Sequence, residues 1–89
     1  MNLEKFKIQA IHFTLKSNSI KKTKDIFKNA IDVFTNSDDV YDFKDVESVY
    51  DVELKIEELC SGGVFNLTNY QKNKMIDVFC KAFTTTNES

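Results

Sequence analysis

Arginine, proline and tryptophan are absent from this 89-residue chain, glycine occurs only as the pair Gly62-Gly63, and His12 is the single histidine. Each absence closes something off. Without proline nothing kinks or stops a helix from inside, and one glycine pair leaves a single place of backbone punctuation, so long helices are favoured. Without arginine there is no guanidinium fork for bidentate guanine readout. A lone histidine between Ile11 and Phe13 has no nucleophile or orienting group indicated beside it, so it reads as a structural or surface residue rather than a general base. Cys60 and Cys80 stand twenty residues apart with no second Cys or His near either. That spacing argues against a metal-ligand pair and for two small buried thiols in a reducing compartment. Glu4, Lys5, Lys7, Gln9 and His12 break any apolar run at the front, so neither a signal peptide nor a membrane span is expected, and the expected location is cytoplasmic.

What is present suits a small folded domain. A hydrophobic fraction of 42% with eight phenylalanines can build a core, and 29% charge is short of the mixture that keeps a chain disordered. At this length one domain is expected, burying roughly 60–65% of its unfolded surface, so stability is modest unless the chain oligomerises or binds a partner. Abundant Lys, Asn, Ile and Phe beside the missing arginine are what AT-rich codons produce, which points to a low-GC genome or its mobile elements.

The small formal net charge of −2 conceals a polarised molecule. Between Asp38 and Glu58 nine carboxylates (Asp38, Asp39, Asp42, Asp45, Glu47, Asp51, Glu53, Glu57, Glu58) face two lysines, whereas residues 1–28 hold seven lysines against Glu4 and Asp25. Segregated charge steers encounter with charged partners.

Apolar spacing places the elements. Ile20, Ile26, Phe27, Ala30, Ile31, Val33 and Phe34 recur at three- and four-residue intervals and predict an amphipathic helix over 19–35, its start capped by Ser17, Asn18 or Ser19. A third helix is expected from Asp42, with Asp45 and Glu47 favoured in its first turn, Tyr41 and Val46 as a hydrophobic staple, and Gly62-Gly63 as a left-handed stop. Its apolar set, Phe43 through Cys60, covers more than half the circumference and predicts a central helix, while Glu47, Asp51, Lys55 and Glu58 form its wet stripe. Thr68 and Gln71 stand in capping-box spacing before a fourth helix over 69–83, followed by a flexible polar tail at 84–89. The first segment is ambiguous. As a helix it places Leu3, Phe6, Ala10 and Phe13 on one side and Ile8, Ile11 and Leu15 nearly opposite; as a strand, Ile11, Phe13 and Leu15 alternate with polar residues and need Val64–Leu67 as partner. An isolated pair of short strands is marginal, so helix is preferred. The expected architecture is an all-α, single-domain four-helix bundle over residues 1–83, with a strand at the first segment as the alternative.

No catalytic constellation, cofactor motif or metal site is read from the residues. Asn36, Asp38, Asp42 and Glu47 have the outline of a calcium loop, but Tyr41 stands where the sharp turn requires glycine and Val40 where an oxygen ligand belongs, so a solvated acidic linker is expected. Glu53 and Glu57 lie one turn apart without the E-x-x-H histidine of carboxylate-bridged metal bundles, and are expected at an edge reaching water or a lysine. Residues 56–83 have the outline of a helix-turn-helix with Asn, Gln and Lys opening its second helix, although the connection is long and the leading helix acidic. The lysines Lys16, Lys21, Lys22, Lys24 and Lys28 suit either phosphates or the molecule's own carboxylates. The expected role is therefore a non-enzymatic, acidic-faced interaction protein. Asp38, Asp39, Tyr41, Asp42, Phe43, Asp45, Glu47, Tyr50, Asp51 and Glu58 would meet a larger protein with a basic groove. A phage or mobile-element inhibitor of a host nucleic-acid-handling protein, such as a CRISPR effector or a polymerase, has this chemistry; the alternative is a small DNA-binding transcriptional regulator. No membrane contact is expected, and monomer and homodimer both remain open.

Overall fold

The computed structural model describes residues 3–17, 20–36 and 46–87, which form α1 (Leu3–Lys16), α2 (Lys21–Asn36), α3 (Val49–Ser61) and α4 (Asn69–Asn87), with no strand among the described residues. The all-α bundle is as expected, and its radius of gyration of 11.8 Å matches the roughly 12 Å of a compact domain this long. Helix α1 packs on both α2 and α4, and α3 packs on α4. The expectation that the third helix is central is thus corrected: α3 packs mainly on α4, and α1 and α4 are the helices that each pack on two others.

The first segment is a helix, and it solves its two-sided pattern by burying only one side. Phe6, Ala10 and Thr14 are fully enclosed, with Phe13 packed at the margin. Ile8, Ile11 and Leu15 stay 62%, 39% and 53% exposed, a row of aliphatic side chains on the outer surface of α1. Of the set its periodicity picks out, helix α2 buries Phe27, Ala30, Ile31 and Phe34 and half-buries Ile26, while Val33 and Ile20 stay 40% and 71% exposed. Of the three residues expected to cap its start, Ser17 is spent elsewhere and the other two are not described. Ser17 donates its hydroxyl to the Thr14 carbonyl at 2.6 Å and so closes α1. Ile20 offers its carbonyl to Lys24 N–H at 3.1 Å, and Asn18 and Ser19 lie outside the described residues.

At the centre Phe6, Phe34 and Phe79 bring α1, α2 and α4 together, with ring centroids 5.0–5.9 Å apart in stacked and edge-on pairs. Each such pair adds about 0.5–1.5 kcal/mol beyond burial. Truncating one of these rings to alanine costs about 3–5 kcal/mol, a large part of the roughly 5–15 kcal/mol that holds a small domain folded. Threonine enters this core without penalty because Thr14, Thr35 and Thr86 each return their hydroxyl to the carbonyl four residues back, all at 2.7 Å.

The beginning of α3 is corrected. Val46 and Glu47 are not helical, and Ser48 at φ −148°, ψ 167° is the N-cap, so the helix starts at Val49 rather than near Asp42. Val46 is buried ahead of the cap instead of inside the helix, and Tyr41, its expected staple partner, lies outside the described residues. The glycine stop is as expected in kind. Gly63 adopts φ +79°, its N–H donates to the Cys60 carbonyl at 3.3 Å, and Val64 N–H reaches back to Leu59 at 3.0 Å, the paired bonds of a Schellman turn. Thr68 and Gln71 form the expected capping box, each accepting from the other's backbone N–H at 3.1 and 3.0 Å. The fourth helix does not end at Phe83. It runs to Asn87 with Thr86 buried, so the polar tail expected from Thr84 is packed helix through that point.

Candidate interaction surface

Helix α3 carries what is described of the acidic segment, and its capping decides which acids are displayed. Asp51 Oδ2 accepts from the backbone N–H of Ser48 at 3.1 Å and of Glu47 at 3.0 Å, while Asp51 N–H donates to Ser48 Oγ at 3.3 Å. Half-buried and held in this reciprocal box, Asp51 serves its own helix start and is not a displayed acid, which corrects its place in the expected surface. The signal was the Ser48-Val49-Tyr50-Asp51 spacing ahead of an apolar run, in which Asp takes the place more often held by Glu.

With Val52, Ile56 and Leu59 facing the core, a rotation of about 100° per residue sends Tyr50, Leu54 and Ser61 outward. Tyr50 is 64% and Leu54 40% exposed. Glu53 and Glu57 border this row on one side, Glu58 on the other, and Glu47 stands exposed just before the cap. Of the ten residues expected to meet a partner, Glu47, Tyr50 and Glu58 are therefore on an open surface. Asp38, Asp39, Tyr41, Asp42, Phe43 and Asp45 lie outside the described residues. Leu54 and Glu53 were missed because the sequence pattern places them with the apolar side of a longer helix.

Glu57 reaches Lys72 at 3.3 Å, an ion pair that ties α3 to α4 and meets the expectation of an edge carboxylate answered by lysine. Cys60 and Cys80 are free and half-buried, short of the full burial expected for them. Cys80 Sγ lies 3.8 Å from the Val49 carbonyl, at the first turn of α3, whereas Cys60 occupies its last turn. The eleven-residue step from Val49 to Cys60 sets the two thiols about 16 Å apart along the helix pair, far outside the roughly 7 Å reach of a disulfide. Burial pushes the Cys80 thiol up from its ordinary value, and the negative charges of Glu53 and Asp77 add to this. Burial also raises Cys60, with Lys72 opposing and Glu57 assisting. Neither is an activated nucleophile.

The other candidate surfaces divide. His12 is exposed, its ring edge-on to Phe13 at 5.4 Å. In the helix-turn-helix reading, Thr68 and Gln71 are spent on the cap and Lys72 on Glu57. Tyr70 remains exposed, with the Lys74 ammonium 5.5 Å from its ring centre. The front lysines do not form one uniform stripe, because Lys24 Nζ donates to the Leu15 carbonyl at 3.2 Å and closes the α1–α2 junction. A cleft of about 390 Å³ between the end of α1 and α4 gathers Lys16, Lys74 and Lys81 around Phe13, with Asp77 bound to Lys81 at 3.0 Å. Among the described residues no group of three or more His, Cys, Asp or Glu side chains is placed to hold a metal ion, and no helix is long and apolar enough to cross a membrane. The calcium-loop outline falls largely outside the described residues. No family model, curated protein or solved structure matches the chain.

Proposed function

We propose that this chain is a non-enzymatic interaction protein that presents the outer side of α3 to a basic groove on a larger protein, in the manner of a phage or mobile-element inhibitor of a host nucleic-acid-handling protein. The observation that supports this reading is the exposed pair Tyr50 and Leu54 set among Glu47, Glu53 and Glu58. An aromatic and an aliphatic side chain supply apolar contact at the centre of a docking patch, and carboxylates around them supply steering and partner choice. The test is capture from host lysate by the tagged chain beside its Glu53→Lys/Glu58→Lys variant, with the retained proteins identified by mass spectrometry. A nucleic-acid-handling protein held by the wild type, released by salt and lost with the variant, and whose DNA or RNA binding falls on addition of the chain, is the expected result. Equal capture by both forms overturns the reading.

A DNA-binding regulator is the second reading, favoured by the Lys16, Lys74 and Lys81 cleft with its aromatic floor. Its mark is retention of random duplex at low salt that weakens steeply as salt is added. Absence of any shift at low salt discards it.

A further inference from the structure

Two helices of this molecule show the solvent an apolar row, and the charges along the open edges of the rows are mainly opposite in sign. On α1 the row is Ile8, Ile11 and Leu15, with the exposed Glu4 at its N-terminal end, and at about 100° per residue Lys5, His12 and Lys16 follow along one edge of it. The other edge is taken up by α2, through Lys7 and Asp32 at 4.0 Å. On α3 the row is Tyr50 and Leu54, with Glu53 and the Lys72-paired Glu57 along one edge and Glu58 along the other, where half-buried Lys55 lies nearer the core.

Neither surface suits a copy of itself. A two-fold antiparallel pairing of α1 with α1 sets the lysine edge of one molecule against the same edge of its mate, and pairing α3 with α3 sets carboxylate against carboxylate. Each suits the other: apolar row meets apolar row, and the basic edge of α1 meets acid whichever edge of α3 it lies along. Both α1 and α3 pack on α4 and each row faces solvent on its own helix, so a copy seated on one leaves the other open.

We propose that the α1 stripe of one copy of this chain docks on the α3 face of a second copy, head to tail. This rests on the reading of α3 as a docking face and names its first occupant, so that self-association keeps the face covered until a host partner displaces it. One helix laid on one helix is a small interface, so the association is weak and concentration-dependent. Its heterologous form leads to a ring or an open chain rather than a two-fold dimer.

Two variants and their mixture test it by sedimentation and light scattering. In Ile8→Glu/Leu15→Glu the α1 stripe is spoiled and α3 kept; in Leu54→Lys/Glu58→Lys the reverse. All four positions are exposed, and helical circular dichroism checks each fold. The wild type is expected to gain mass between about 10 μM and 1 mM, the range a contact of this size occupies. Each variant alone stays monomeric, and the two mixed form a heterodimer that grows no further, since each brings the one surface the other lacks. Should either variant misfold, Lys5→Glu/Lys16→Glu, which leaves the aliphatic row whole, replaces the first, and Glu53→Lys/Glu58→Lys the second. A wild type monomeric throughout, or monomeric variants whose mixture stays monomeric, overturns the proposal. Host-protein capture by Ile8→Glu/Leu15→Glu separates the two readings: retained capture leaves the α3 docking face standing even where self-association fails.

Discussion

At the level of single residues, the chain uses its few special side chains structurally. The threonines at 14, 35 and 86 are buried at the cost of one back-bond each, and His12 lies on the surface as its lone occurrence implied. The thiols carry a pH consequence. Both are raised by burial in the folded chain, so the unfolded chain ionises them first. Their contribution to stability is therefore whole below the ordinary thiol value of about 8.5 and is lost as pH rises through the folded value. Thermal melts from pH 7.5 to 10 should fall more steeply for the wild type than for Cys80→Ala, and parallel curves would show that this thiol has no folded-state preference. Sequence spacing argued against a metal pair. It could not show that the thiols sit at opposite ends of one helix pair, because that depends on which way α3 and α4 run against each other.

At the level of helices, termini carry more information than interiors. Helix α3 is bounded by the Ser48–Asp51 box at one end and the Gly63 turn at the other, and both are local chemistry. Replacing Ser48 with alanine should lower stability by about 1 kcal/mol, through loss of the cap acceptor. Gly63→Ala should cost a similar amount, about 1 kcal/mol, from the positive φ alone, because an added Cβ there meets no atom within 4 Å. Urea midpoints read both, and an unchanged midpoint for Ser48→Ala would place the helix start elsewhere. The glycine stop and the Thr68–Gln71 box were legible in the sequence since each has one clear candidate. The start of α3 was not, because Asp42, Asp45 and Ser48 all offer capping oxygens ahead of the same apolar run. A start at Asp42 makes a longer helix with Asp51 on its wet side; the Ser48 cap shortens it and takes Asp51 into the capping box.

For the molecule as a whole, α4 is the shared wall on which α1 and α3 rest, and its last turn belongs to that wall. Thr86 is buried, and with Thr85 it borders Lys5, Ile8 and Gln9 of α1. Ending the chain at Phe83 should therefore lower stability by about 1–3 kcal/mol in urea, where a dispensable tail would leave it unchanged. A polar composition, Thr84-Thr85-Thr86-Asn87, suggested fraying; packing overrode it because a threonine that bonds its own helix can be buried like a small apolar residue.

The sequence by itself determined α2, α3 and α4 as helices, where α2 buries most of its apolar side, how α3 ends and how α4 begins, since spacing and capping chemistry act within a turn or two of the chain. Only the tertiary structure decided which of the two apolar sides of α1 is enclosed, which helices pack on two others, and which acids remain on show. Burial is a contest between surfaces far apart in sequence: Phe6, Ala10 and Thr14 lie against α2 and α4, and Ile8, Ile11 and Leu15 are left facing out.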